Sequence, residues 1–361
     1  IYMFSLKKLK VLYRRYEGLL IPLALFSGFA TDLLTFKLIK FETSIFFLFG
    51  HLFFAGINIA IINYFKNNKP ANSITSYWNL FAPLLLQFSF GNIFSGFLIF
   101  YSQSGSIFAS WPFLLVIISL LIGNEIVRRY DLGPEVQIGA YFFALFAYFN
   151  LTLPYLFKLL NTPMFLIGGL ISLLVISVYL YFLTNYIEEI KDQKNKLYAT
   201  VVGIFLVVNA LYFTNTIPPI PLSLKDIGVY HNVERVGDNY KIVTEDCYTW
   251  DRCLFTREVR NINNENQTIY FYSSVYAPLG MDLEIDHRWQ KFNNDENRWE
   301  TMIKIPFQLE GGRDIGFRWY SYYQASPGLW RVVVETKNGQ VIGRKSFYIE
   351  KGPKTTITRE I

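Results

Sequence analysis

Seven stretches of roughly 18–25 residues, almost free of charge, fill the first 223 positions: 18–36, 44–65, 77–101, 107–127, 137–157, 164–186 and 197–214. A helix rises 1.5 Å per residue, so about 20 apolar residues cross the hydrocarbon core of a bilayer. Each stretch is sized for one crossing. The fifth is the least regular, with Asn150 within it and Pro154 near its end.

Charge divides the chain at the same place. The net charge is +6. Residues 1–223 carry 15 Lys and Arg against 9 Asp and Glu, whereas 224–361 carry 19 of each. The surplus therefore belongs to the apolar part. Lys7, Lys8, Lys10, Arg14, Arg15, Lys66, Lys69, Arg128, Arg129, Lys191, Lys194 and Lys196 flank the stretches on alternate segments, and the intervening segments hold only Lys37, Lys40 and Lys158. By the positive-inside rule the N-terminal side is cytoplasmic, and seven crossings put the rest of the chain outside. A basic surplus placed this way argues for orientation and against a nucleic-acid partner. The bases at 7–15, the apolar run 19–26 and Gly28-Phe29-Ala30 also fit a cleavable signal peptide, but the apolar run continues past Ala30, which favours a retained helix.

Ile217-Pro218-Pro219-Ile220-Pro221 cannot continue a helix and reads as a stiff linker. After it, β-rich runs cover 240–245, 253–260, 268–276, 283–292, 299–309, 316–323, 329–336 and 341–350. Turn signals separate them at Asn263-Asn264, Asn293-Asn294, Gly311-Gly312, Pro327-Gly328 and Asn338-Gly339. Trp330, Val332 and Val334 alternate with Arg331, Val333 and Glu335. The expected architecture is a seven-helix transmembrane domain over 1–215, a Pro-rich linker over 216–226, and an all-β, immunoglobulin-like antiparallel sandwich over 227–361.

Cys247 and Cys253 both fall in the outer part. An oxidising compartment would let them close a small loop, and as free thiols one would be buried as a small apolar residue. Three His and two Cys supply no metal-ligand spacing, and no cofactor is implied. Gly-x-Ser-x-Gly, Gly-x-x-x-x-Gly-Lys, His-Glu-x-x-His and the dinucleotide fingerprint are all missing, which argues against an enzyme.

The strings HRWQ (287–290), GGRDIGFRWYS (311–321) and PGLWRVVVETKNGQVIGRKSF (327–347) stand in the outer part. GFATDLLT (28–35), FGNIFSGFLIFY (90–101), GNEIVRR (123–129) and IPPIPLSLK (217–225) stand in or beside the apolar part. In this order and spacing the chain resembles a bacterial family of multi-pass membrane proteins that end in the domain-of-unknown-function family 2914. The resemblance implies a bacterial cytoplasmic-membrane protein with an exterior sandwich. It brings no reaction, ligand or catalytic residue, and the 247–253 segment departs from its pattern.

Ionisable and amide groups within the apolar stretches form a first candidate site. Asp32 lies about one turn from the outer end of its stretch and His51 about two, with Asn92 and Asn209 in the outer halves of theirs. Such a cluster would hold a head group, an ion or a proton; an interfacial Asp32 paired with Lys37 is the simpler alternative. Asn124, Glu125, Arg128 and Arg129 form a second group on the cytoplasmic side, either a helix-end anchor or a phosphate site for anionic lipid. Small residues at Gly91/Ser95 and Gly168/Ser172 read as helix-packing positions. A third group is an exterior surface of His287, Trp289, Arg313, Arg318 and Tyr320, where aromatics beside Arg suit a glycan, an anionic polymer or a protein. The alternative puts Trp289, Trp319 and Trp330 in the core.

The function this supports is a membrane protein that displays an exterior binding sandwich for a protein, glycan or lipid head group. A transporter or lipid-handling protein using the polar helix residues is the alternative, with no inverted repeat to support it. Nothing in the sequence fixes an oligomeric state.

Overall fold

The computed structural model describes residues 23, 27, 41–68, 73–103, 107–126, 133–245, 258–262, 267–313, 315–352 and 356–361. They divide into a helical unit and a β unit, the latter running continuously from Asn215.

Seven helices occur among the described residues: α1 (Phe41–Asn67), α2 (Ser73–Gln103), α3 (Ile107–Ile126), α4 (Pro134–Phe157), α5 (Thr162–Tyr186), α6 (Glu188–Asp192) and α7 (Lys194–Phe213). Local sequence sets the start of α5, where the Asn161 side chain accepts a 2.9 Å hydrogen bond from the Met164 amide and a proline opens the first turn. Five helices, α1, α2, α4, α5 and α7, are long and apolar enough to cross a membrane. The fourth expected crossing is α3, apolar over Ser110–Leu121 among the residues whose side chains are described, and the first expected crossing lies outside the described residues apart from residues 23 and 27.

Packing in this unit centres on α4, which meets α1, α5 and α7 and buries Phe142, Ala144, Phe146 and Leu151. By contrast, α5 leaves Leu166, Leu170, Leu174 and Val178 exposed at every fourth position. In water such a stripe would be a liability; in lipid it is ordinary. Polar contacts tie the inner faces. Asn63 donates to Gln137 Oε1 at 2.8 Å, and Tyr179 donates to the Gly56 carbonyl at 2.7 Å. Lys66 meets Glu189 at 3.3 Å and Lys196 meets Glu135 at 3.8 Å. Together with the Asn63–Gln137 bond, these contacts place the end of α1, the start of α4, the short α6 and the start of α7 at one end of the bundle.

A Cβ at Gly168 would stand 2.9 Å from Asn150 Oδ1, so α4 and α5 approach closely where the small-residue spacing anticipates it. Gly168→Leu is expected to destabilise the full-length protein in detergent by about 1–3 kcal/mol, with Leu174→Ala as the exposed control. An unchanged thermal midpoint in Gly168→Leu would contradict this packing.

Among the described residues the β unit holds eleven strands: β1 (Ser223–Tyr230), β2 (Asn232–Val236), β3 (Asn239–Glu245), β4 (Glu258–Ile262), β5 (Gln267–Tyr276), β6 (Asp282–Asn293), β7 (Arg298–Glu310), β8 (Phe317–Ala325), β9 (Gly328–Thr336), β10 (Val341–Lys351) and β11 (Thr356–Glu360). One sheet has the order β1-β5-β8, a second β4-β10-β9-β6-β7, and a third β11-β3-β2. Among these described strands all pairings are antiparallel except that of β4 with β10, which is parallel. The first two sheets enclose a single core, with Val229, Phe271 and Ala325 from one and Trp289, Trp330, Val334 and Phe347 from the other. The third sheet packs Val233, Tyr240 and Ile242 against Tyr272 on the opposite side of β5. Alternation along β9 is as the sequence predicts, with Trp330, Val332 and Val334 inward. Gly339, at φ +80°, supplies the left-handed position of the turn between β9 and β10.

Two features differ from expectation. Residues 216–223 are buried and turned back on themselves, with Ile220 donating to the Pro218 carbonyl and Leu222 to that of Pro219, both at 3.0 Å. They form a compact approach to β1 and not an extended rod, because Ile217, Ile220 and Leu222 gain more from burial than a solvated segment would. β1 itself begins inside the segment expected to be linker.

Candidate functional site

Asp32, Arg128, Arg129, Cys247 and Cys253 lie outside the described residues, and of Asn124 and Glu125 only the backbone is described, in the last turn of α3. His51 is half-buried, with its ring 5.6 Å from that of Phe88. Asn92 donates to the backbone carbonyl of Phe88 at 2.8 Å, within α2. Asn209 on α7 donates to the Phe205 carbonyl at 2.8 Å. Both amides thus spend a donor on their own helix, one turn back. The buried Asn63–Gln137 bond is a polar contact that sequence reading missed; its partners are 74 residues apart.

The proposed exterior set separates. His287 and Trp289 are fully buried, which corrects their assignment to an outer surface. Alternation along β6 puts Ile285, His287 and Trp289 on one face, and that face is the core. There Ser273 Oγ of β5 lies 2.8 Å from His287 Nε2, and Ser321 Oγ of β8 lies 2.9 Å from Nδ1. Trp289 donates its indole N–H to Ser321 Oγ at 3.0 Å. A neutral imidazole donates from one nitrogen and accepts at the other, which two hydroxyls complement. The Phe271 and Phe307 rings meet the imidazole edge-on at 4.8 and 4.9 Å. Burial in this apolar cage pulls the His287 pKa down to about 3. The knot joins the two sheets; it offers no accessible atom to a substrate.

Arg318 and Tyr320 occupy the outer face of β8. Arg318 donates to the carbonyls of Asp238 and Ile361, and its guanidinium lies 5.3 Å from the centroid of the Tyr240 ring. Register sets Tyr320 opposite Tyr272 and Tyr322 opposite Tyr270. The ring of Tyr270 is 6.0 Å from that of Tyr320 and 5.7 Å from that of Tyr322. The third sheet covers Tyr272, leaving Tyr270 and Tyr320 half-buried and Tyr322 exposed. Arg313 stands apart, over Phe317 at 5.1 Å and 3.9 Å from Glu310.

The outer face of the five-stranded sheet carries a charged lattice. Glu335 is 1% exposed, yet it accepts from Arg288 at 2.6 and 3.1 Å, and Lys304 stands 2.9 Å from its other oxygen. Asp286 lies beside it; burial raises its pKa against the pull of Lys304. Further along the face, Arg331 lies over the Trp299 ring at 4.2 Å and donates through Nε to Gln290 Oε1 at 2.6 Å. The sequence shows Arg331 and Glu335 on one side of β9 but gives no sign of their partners on β6 and β7.

Residues 282–349, spanning β6 to β10, match the family described as "Protein of unknown function (DUF2914)". No curated protein matches the chain. Among solved structures it is similar to a beta-glucosidase from Listeria innocua in complex with isofagomine, at 12% identity over 39% of this chain and 19% of that one, with a TM-score of 0.20. A beta-glucosidase from Kluyveromyces marxianus shows 10% identity over 37% and 15%, with a TM-score of 0.17. The alkylpurine DNA glycosylase AlkC from Pseudomonas fluorescens shows 12% identity over 85% and 98%, with a TM-score of 0.20. The chain spans about a fifth of the length of the Listeria beta-glucosidase. Likenesses at these TM-scores carry no argument about fold or activity.

Proposed function

We propose that the protein is a polytopic protein of the bacterial cytoplasmic membrane that holds its β unit outside the cytoplasm as a binding module for glycans. The observation that carries this reading is the tyrosine face of β5 and β8. Tyr270, Tyr320 and Tyr322 offer ring faces to the apolar side of a sugar and hydroxyl edges to its hydroxyls. Arg318, anchored by two carbonyls, borders them. The helical unit serves as the anchor, and the exposed stripe of α5 supports a lipid environment. The strand orders β1-β5-β8 and β7-β6-β9-β10, around one core, support an immunoglobulin-like sandwich, a class whose outer faces and loops bind ligands.

Full-length protein in a neutral detergent, applied to an array of oligosaccharides, is expected to retain a defined subset. Tyr322→Ala should weaken that binding about tenfold, the equivalent of one lost aromatic contact. No retained sugar, or undiminished binding by the variant, would sink the glycan reading.

A further inference from the structure

We propose that the end of the β unit at which the chain arrives from α7 rests on the bilayer surface, with Leu279 and Ile315 set into lipid. The proposal rests on the reading of α7 as a membrane crossing. Register identifies that end. Ser223, the first residue of β1, lies opposite Tyr276, the last of β5, and Phe317, the first of β8, lies opposite Val275. Asp282, the first residue of β6, lies opposite Glu310, the last of β7, while Thr336, the last of β9, lies opposite Ile285. The turns β5–β6, β7–β8 and β9–β10 therefore share one end with the start of β1. Asn215, two residues beyond the end of α7, stands there as well, since a Cβ on Gly339 would lie 3.8 Å from its side-chain nitrogen.

Two of these turns hold an apolar side chain outward. Between β5 and β6, Met281 donates to the Pro278 carbonyl at 3.2 Å, and Gly280 at φ +77° supplies the left-handed position. Ala277 and Met281 belong to the core, yet Leu279 between them is 75% exposed. Between β7 and β8, Gly316 donates to the Arg313 carbonyl at 2.9 Å, and the Ile315 carbonyl accepts from Ser274 Oγ at 2.6 Å. The Ile315 side chain is 61% exposed. Each turn braces the other. Gly312 donates to the Ala277 carbonyl at 2.9 Å and Gly311 to the Met281 carbonyl at 3.1 Å, and a Cβ on Gly312 would stand 2.5 Å from Leu279 Cδ1. Neither tip can turn inward without breaking bonds rooted in the core. An apolar tip held out in this way meets either water or an apolar partner from outside.

Lipid is the partner that the chain itself brings to this end. The segment from Asn215 to Ser223 follows directly on α7, where Leu206, Val207 and Phe213 are exposed as lipid-facing side chains are. Apolar surface thus continues along the chain from the last crossing to the tips. Charge is not the means of attachment. Arg313 stands 3.9 Å from Glu310 and Lys337 3.1 Å from Glu284, so each of these bases beside the tips already has a carboxylate. Insertion by apolar burial alone needs no anionic head group.

The test uses the whole chain in nanodiscs of phosphatidylcholine. A small fluorescent amino acid is installed by stop-codon suppression in place of Leu279, of Ile315, or of Asp295, an exposed residue in the β6–β7 turn at the far end of the unit. Near-ultraviolet circular dichroism verifies that each labelled protein keeps its core, and positions 279 and 315 each decide the question without the other. Lipids with a nitroxide high on the acyl chain are expected to quench the label at 279 and 315 about threefold more than at 295. Iodide in the buffer should show the reverse preference, and added phosphatidylglycerol should change neither pattern. Equal iodide quenching at all three positions would leave the tips in water and overturn the proposal. Protection of 279 and 315 from both quenchers would overturn it too, because protein, from this chain or a second copy, would then cover them. A pattern seen only with phosphatidylglycerol would assign the contact to charge and contradict apolar insertion. The quenching depends neither on a sugar nor on which leaflet is met, so it can fail while the glycan reading stands, and the reverse.

Discussion

Between pH 6.5 and pH 3 the β unit is expected to lose stability on the order of 4–5 kcal/mol through His287 alone. In the folded unit this imidazole stays neutral down to about pH 3, whereas in the unfolded chain it takes up a proton near pH 6.5. Between those values the unfolded state binds more protons, so stability falls as pH falls and is fully present only above about pH 6.5. Below about pH 3 both states are protonated and this contribution stops changing. His287→Gln should begin lower at pH 7, by about 1–3 kcal/mol, because Ser273 and Ser321 lose a matched partner inside the core. Its pH profile should lack the wild-type slope across the window. Carboxylates contribute to both profiles alike, so the difference between them isolates the imidazole. Denaturant unfolding of the full chain, followed by tryptophan fluorescence at several pH values, measures it. Parallel profiles would show that His287 is hydrated in the folded state.

Removing Glu335 is expected to have the second large effect. Its carboxylate is out of water, and it neutralises Arg288 directly and Lys304 at 2.9 Å. Losing one partner of a buried pair costs more than the pair contributes, because the other charge is stranded. Here Arg288 and Lys304 retain some contact with solvent, with side chains 24% and 52% exposed, which moderates the penalty. Glu335→Ala should therefore cost about 2–3 kcal/mol at neutral pH. The double variant Arg288→Met/Glu335→Leu should lie within about 1 kcal/mol of wild type, since two apolar side chains of similar size replace the pair. If the double variant is as unstable as the sum of its parts, the lattice contributes through something other than charge compensation.

The division of the chain into apolar helices and a β unit was legible because it rests on composition, which is local. So was the facing of β9, where Trp330, Val332 and Val334 alternate with Arg331, Val333 and Glu335. β1 was hidden by the prolines before it, which suggest an exposed spacer although Leu222 belongs to the core. β2 and β11 were missed because they are short and largely exposed, with little apolar alternation to read. The sharing of one face by His287 and Trp289 could be read from period 2. That the face is the core could not, because their partners Ser273 and Ser321 come from strands 14 and 34 residues away from His287. Arg331 and Trp299 pose the same problem: a cation and a ring on separate strands become a contact only when register brings them together.

The reading of the protein as a membrane-anchored exterior module depends on which side of the bilayer the β unit occupies. A phosphatase reporter fused after Ile361 in a bacterial host, compared with a fluorescent reporter that matures only in the cytoplasm, measures this directly. The expected result is an active phosphatase and a dark fluorescent fusion, the signature of an exterior β unit. A bright fluorescent fusion with an inactive phosphatase would place the β unit in the cytoplasm and contradict it.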